Sequence, residues 1–298
     1  MRFIINLLLV LLVSPVLAQQ AGLSAPDPLI INEVYPFVGV RDTNGLTARG
    51  DAYNSGLKNL ALIVAGQSNC SNVNPTLFVP GSTAVIDQKN VYDGGSYNIN
   101  GLMLGSSNGA ANPGAGPGNV AARLAQLFIT NAIFDHVVVM NVCIGSTVAA
   151  DWATGVVSNR ITAAFRRFAS RGITPTTTSW SFAISWWHGE SDNLNGTTAL
   201  SYTASMNTIL TNARTAGFTC ANCRFFVNEQ TWNAGAVSAT IQGAQTALWG
   251  TSQFFTGGNI DTLNATNRNS DNTHLNDTGA AAAALLVYNA MHASGAPF

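Results

Sequence analysis

Residues 60–69 read LALIVAGQSN: an apolar run, Leu60–Ala65, that ends in Gly66-Gln67-Ser68-Asn69. The run is apolar at successive positions and does not alternate, the pattern of a strand covered on both faces. Gly66 lets the chain turn sharply, and Ser68 lands at a strand-to-helix corner with its hydroxyl exposed. Working outward, similar β-rich runs occupy His136–Cys143, Trp180–Trp187 and Arg224–Glu229, with a weaker one over Gln253–Ile260. Between them lie helical patterns at Pro117–Ala132, Val156–Arg171, Thr198–Ala216, Ala234–Trp249 and Asp277–Ala293. Buried strands alternating with helices predict an α/β protein: a three-layer α/β/α sandwich around a mostly parallel, five-stranded sheet. No linker or repeat divides residues 59–298, which read as one domain. Gly94–Gly118, rich in Gly, Asn and Ser, reads as a long loop of the kind that carries function.

Charge narrows the partners. Of 298 residues only 9% are charged, and Lys+Arg 13 against Asp+Glu 14 leaves a net charge of -1. That excludes binding driven by phosphate neutralisation and offers no charge run to an anionic membrane. The chain carries 31 Asn, so amides and hydroxyls cover much of its surface, which suits an uncharged polar partner such as a neutral polysaccharide. Residues 1–18 read as a secretory signal peptide, with Arg2, an apolar run from Phe3 to Val13 and a small-residue cleavage site at Val16-Leu17-Ala18. The run is shorter than the roughly 20 apolar residues that span a bilayer. Residues 19–58 read as an extended N-terminal arm with one or two short strands around Leu29–Val34. The mature protein is therefore expected outside the cytoplasm, secreted or periplasmic.

In open parallel sheets ligands collect at the carboxyl ends of the strands, and the polar motifs lie there. One strand runs into Gln67 and Ser68, a second into Gly145-Ser146-Thr147, a third into His188-Gly189-Glu190-Ser191-Asp192; Asp271-Asn272-Thr273-His274 precedes the last helix. A serine nucleophile needs a base within hydrogen-bond reach, and the base needs an acceptor that fixes its tautomer. An Asp three residues before a His in a loop can bring its carboxylate to the ring Nδ1 and leave Nε2 for Ser68. The competing reading of Asp271 to His274 is a helix N-terminus with a surface histidine. No HExxH, Walker A loop or complete Cys/His cluster is present, so the reading needs no cofactor and no metal.

Taken in order, these blocks, with Trp152, Leu275-Asn276 and Gly279, resemble the successive motifs of the SGNH hydrolases. The similar branch is the sialate O-acetylesterase-like and acetylxylan-esterase-like carbohydrate esterases, over about residues 60–290. Gly116-Pro117 opening a helix with Ala122-Arg123 fits the same branch. The resemblance implies a flavodoxin-like α/β/α fold and a serine esterase that removes O-acetyl groups from a carbohydrate. It implies Ser68 as nucleophile, His274 as base and Asp271 as its orienting carboxylate. The oxyanion hole would use the N–H groups of Ser68 and Gly145 and a side-chain donor from the third block. There the family usually has Gln, and this chain has His188, whose imidazole is expected to take the donor's place. Gln67, Glu190 and Asp192 are supporting candidates, with Glu190 or Asp192 as rivals to Asp271 for the partner of His274. Trp152, Trp186 and Trp187 are candidates for a sugar-stacking platform, with one of the last two expected in the core because strand neighbours alternate faces.

Four cysteines remain after Ala18, and four allow three pairings. Cys220 and Cys223 suit a short local disulfide. Cys70 follows the presumed nucleophile by two residues and Cys143 precedes Gly145 by two. If their strands are sheet neighbours, the strand ends lie roughly 5 Å apart, within disulfide reach. Two other classes of function stay open: a lipase-like esterase on other short-chain esters, against which no apolar lid segment is evident, and a non-catalytic carbohydrate-binding protein, which would have no use for Ser68, Asp271 and His274 together.

Overall fold

A computed structural model describes residues 57–82, 84–92, 94–99, 103–106, 118–175 and 180–298. The expected signal peptide, all but the last two residues of the arm, and Pro117 lie outside the described residues. Among the described residues seven strands form one sheet: β1 Asn59–Gly66, β2 Ile86–Lys89, β3 Ser96–Asn98, β4 His136–Asn141, β5 Trp180–Trp187, β6 Cys223–Glu229 and β7 Phe254–Asn259. Their order is β3-β2-β4-β1-β5-β6-β7, with β3 antiparallel to β2 and every other pairing parallel. The helices are α1 Val120–Thr130, α2 Ala149–Ala153, α3 Asn159–Ala169, α4 Glu190–Leu194, α5 Ala199–Thr215, α6 Ala239–Leu248 and α7 Asp277–Ala293.

The five expected strands are all present, but the sheet is wider by β2 and β3. The reading overlooked them because Asp87, Gln88 and Lys89 are polar, yet all three are buried. Burial is tolerable because each has a partner: Asp87 with His136 at 2.9 Å, Gln88 Oε1 with the Leu104 N–H at 2.8 Å, Lys89 Nζ with Ser96 Oγ at 2.5 Å. β3 falls inside the segment expected to be all loop. The helix expected from Ala234 begins only at Ala239, since Ala234 and Gly235 take positive φ and Ser238 caps the helix by accepting the Ile241 N–H.

Strand alternation divides the core in two. Ala61, Ile63, Ala65 and Trp186 pack under α2, α3, α5 and α6, while Leu60, Leu62, Val64 and Trp187 pack under α1 and α7. Trp152, Trp186 and Trp187 are all at most 1% exposed, so none offers a face to a sugar and the proposed platform does not exist. Both strand tryptophans are core, one in each layer. β1 is the central strand, flanked by β4 and β5; the chain leaves β1 toward β2 on one side and leaves its neighbour β4 toward β5 on the other. This is the topological switch point where α/β sheets open a crevice.

Among the described residues no helix is long and apolar enough to cross a membrane. Two disulfides join Cys70 to Cys143 and Cys220 to Cys223, the expected pairing, with Cα separations of 5.9 and 5.1 Å.

Candidate active site

At the end of β1, Gly66 has φ +142, and a Cβ there would lie 1.9 Å from the Trp187 carbonyl oxygen. Only glycine lets β1 press this closely on β5 while turning. Gln67 N–H extends the ladder by one bond to Trp187 O at 2.9 Å, and the chain then coils into one 3-10 turn, Ser68–Cys70. The expected strand-to-helix corner is thus a single tight turn and no full helix follows it. Ser68 opens that turn, so its amide has no intrahelical partner. The N–H groups of Ser68 and Gly145 have no acceptor among the described residues.

The base arrives from the other end of the chain. Asn272 at φ 54 lets the loop before α7 double back, and Asn276 caps α7 by accepting the Gly279 N–H. Asn276 therefore does the capping at this helix N-terminus, and the Asp271 carboxylate turns inward. Asp271 Oδ1 accepts the amides of Thr273 at 2.9 Å and His274 at 3.0 Å, while Oδ2 lies 2.5 Å from His274 Nδ1. His274 Nε2 lies 2.8 Å from Ser68 Oγ. A carboxylate can only accept, so Nδ1 carries the ring proton and Nε2 accepts from the Ser68 hydroxyl. Burial works to raise the Asp271 carboxyl pKa, but the hydrogen bonds from the ring and the two amides outweigh it and hold it below the ordinary value.

Around Ser68 lies a pocket of about 270 Å³ lined by Gln67, Ser146, Glu190, Ser191, Asn233 and Thr273 among others. Gln67 Oε1 accepts the Ser191 N–H at 3.1 Å, and its Nε2 has no acceptor among the described residues. Glu190 is 1% exposed. Its Oε1 accepts from Asn69 Nδ2 at 2.6 Å and from Gln230 Nε2, and its other oxygen has no partner among the described residues. Burial pushes its carboxyl above the ordinary range, with the hydrogen bonds of Asn69 and Gln230 pulling the other way. Arg268, 4% exposed, donates Nη1 to Thr273 O at 2.9 Å and balances the acidic groups nearby. Its guanidinium pKa is lowered by burial, while Glu190, Asp261 and Asp271 raise it.

His188 is placed elsewhere. It is fully buried, its ring stacks on Trp186 with centroids 4.8 Å apart, and it is not among the residues that line the pocket. Its Nδ1 lies 3.2 Å from Asp192 Oδ2, and that same oxygen accepts the Ala149 N–H at 3.1 Å. A side chain two residues beyond Trp186 shares its face, so His188 points into the α2–α5 layer and away from Ser68. The expectation of an imidazole oxyanion donor is corrected accordingly. Neither rival carboxylate touches His274: Glu190 serves Asn69 and Gln230, and Asp192 serves Ala149. Sequence reasoning missed Gln230 and Asn233. Their only signal was position, since both closely follow β6 at the carboxyl edge of a parallel sheet.

No family model matches the chain, and no curated protein matches it. Solved structures do. The protein AT4G34215 from Arabidopsis thaliana aligns over 79% of this chain and 98% of its own, with TM-score 0.59 and 16% identity. XAC1771, a carbohydrate acetylesterase from Xanthomonas citri, aligns over 78% of this chain and 55% of its own, with TM-score 0.51 and 13% identity. At these identities the likeness is one of fold. The three-layer α/β/α architecture around a mostly parallel sheet, which the sequence implied, is shared with these structures.

Proposed function

We propose that this protein is a secreted serine esterase that removes O-acetyl groups from a carbohydrate. One observation carries the reading: the serine hydroxyl 2.8 Å from an imidazole whose far nitrogen meets a carboxylate at 2.5 Å. Ser68 Oγ attacks the acetyl carbonyl and its proton passes to His274 Nε2, while Asp271 steadies the imidazolium that forms. The amides of Ser68 and Gly145 receive the developing oxyanion, with Gln67 Nε2 the pocket's available side-chain donor. The tetrahedral species collapses as His274 returns the proton to the departing sugar oxygen. Water, deprotonated by the same ring, then cleaves the acetyl-enzyme and releases acetate.

The sugar side of the reading rests on the pocket's lining. Ser146, Ser191, Asn233 and Thr273 line it with neutral polar groups against one apolar side chain, Leu194, while Asp271 and one oxygen of Glu190 are occupied by internal hydrogen bonds. Uncharged hydroxyls suit such a wall better than an acyl chain. The fold shared with a carbohydrate acetylesterase supports the same class, and two disulfides suit the oxidising compartment to which residues 1–18 would direct the chain. The test is acetate release from p-nitrophenyl acetate, longer acyl esters, acetylated xylan and O-acetyl sialic acid. Ser68→Ala is expected to abolish it in a folded protein; residual activity within about tenfold of wild type overturns the nucleophile. Preference for long acyl chains moves the reading to a lipase-like esterase.

A further inference from the structure

Glu190 lines the pocket, yet it touches neither Ser68 nor His274. What it touches is Asn69, the residue after the nucleophile. Asn69 Nδ2 donates to Glu190 Oε1 at 2.6 Å, and its remaining contacts straddle the base: Nδ2 also reaches Thr273 O at 3.3 Å, and Oδ1 accepts the Leu275 N–H at 2.8 Å. Thr273 and Leu275 are the chain neighbours of His274. The amide orientation is fixed, because a carboxylate must meet Nδ2 and an N–H must meet Oδ1. Glu190 is itself held from the far side by Gln230 Nε2, and the Gln230 backbone N–H donates to Gln245 Oε1 at 3.1 Å. This buried chain of hydrogen bonds joins the ends of β1, β5 and β6 to the loop before α7.

We propose that Glu190 is a positioning residue: through Asn69 it sets the backbone on either side of His274, so that the imidazole keeps its hydrogen bond to Ser68. The proposal deepens the esterase reading and rests on it for the meaning of that bond. The physical need is clear from the loop. The residues from Asn269 to Asn276 form no helix or strand; the Asn269 N–H on His274 O at 2.7 Å, the Asn276 N–H on Asn267 O at 3.0 Å and Arg268 Nη1 on Thr273 O at 2.9 Å close the loop, and the Leu275 N–H beside the ring is left to Asn69 Oδ1. A displacement of about 1 Å in such an arrangement costs on the order of 10²-fold in rate. Asn69 is adjacent to Ser68, so one side chain ties base to nucleophile. Glu190 locks that side chain in the one rotamer that does so.

The test exchanges donor and acceptor. Glu190→Ala and Asn69→Ala are expected to lower kcat about 10²-fold with KM changed less than about threefold. Asn69→Asp sets carboxylate against carboxylate and is expected to be as poor. The double variant Asn69→Asp/Glu190→Gln reverses the polarity. The new amide donates to the new carboxylate, which still accepts the Leu275 N–H, while Gln230 turns its otherwise unpartnered Oε1 to the new donor, and activity is expected to return to within about tenfold of wild type. Amide exchange gives a readout independent of turnover. The Leu275 N–H should lose protection in Glu190→Ala and regain it in the double variant, with β1 amides unchanged. A double variant no better than Asn69→Asp overturns the proposal, as does unaltered Leu275 protection in Glu190→Ala. Should Glu190→Ala fail to fold, Glu190→Gln, which keeps the acceptor oxygen, is expected to hold wild-type protection at Leu275; loss there also overturns it. If the wild type cleaves no ester, the esterase reading falls and exchange at Leu275 alone decides the relay.

Discussion

Replacing both Cys70 and Cys143 by alanine should cost far more stability than replacing Cys220 and Cys223. The first bridge closes a loop of sequence separation 73, the second one of only 3. Loop-closure entropy of the unfolded chain makes the first worth about 4.4 kcal/mol and the second about 1.6 kcal/mol. For a domain of this size the larger loss lowers the melting temperature by roughly 9–18 °C. Catalysis should fall much less. The Ser68 turn keeps other anchors, because Cys70 O accepts from Asn119 Nδ2 at 2.9 Å and from Asn141 Nδ2 at 2.7 Å. Those bonds hold the turn beside the β4 end whether or not the sulfurs are joined. Turnover at about 25 °C, measured with p-nitrophenyl acetate, is therefore expected within about tenfold of wild type. Denaturant unfolding of both double variants, followed by fluorescence, supplies the comparison. Equal losses for the two bridges would refute the reasoning, since the loop lengths would then not govern the outcome. A collapse of turnover in well-folded Cys70→Ala/Cys143→Ala would show instead that the bridge, and not the asparagines, sets the corner.

His188→Ala removes a fully buried ring and strands Asp192, so a stability loss of about 2–4 kcal/mol is expected with kcat lowered less than about tenfold. The opposite pattern, unchanged unfolding with a kcat loss near 10²-fold, would return His188 to the oxyanion hole. Asp271 has a depressed pKa in the folded protein, so the stability it contributes is present above its unfolded value and fades as pH falls through the folded one. Asp271→Asn should therefore flatten the acid limb of a stability–pH curve below about pH 4; an unchanged limb would show that the carboxylate is not held by His274 in solution.

How much of this was legible depended on distance along the chain. Asp271 and His274 are three residues apart, and the loop that joins them is local, so their pairing could be anticipated. β1, β4 and β5 announced themselves by largely apolar runs, and β6 and the edge strand β7 less strongly. β2 did not, because Asp87, Gln88 and Lys89 are buried by pairing with partners that no periodicity reveals. His188 was misplaced for want of a rule already applied to its neighbours. The alternation that separates Trp186 from Trp187 also puts His188 with Trp186, away from the crevice. Gln230 belongs to no motif, and its part in the Glu190 network depends on β6 lying beside β5, a fact of topology.

The 206-residue interval between Ser68 and His274 has a bearing on when the site exists at all. The corner that carries the hydroxyl is made early in synthesis, whereas the histidine is made just ahead of α7. That helix comes to rest against α1, the first long helix to be synthesised among the described residues. A ribosome reading the message in order thus produces every strand of the sheet before the serine can meet its base. Until that helix docks, the chain has an alcohol and no base beside it, and a proteolytic nick between β7 and His274 would leave the pairing to noncovalent packing alone.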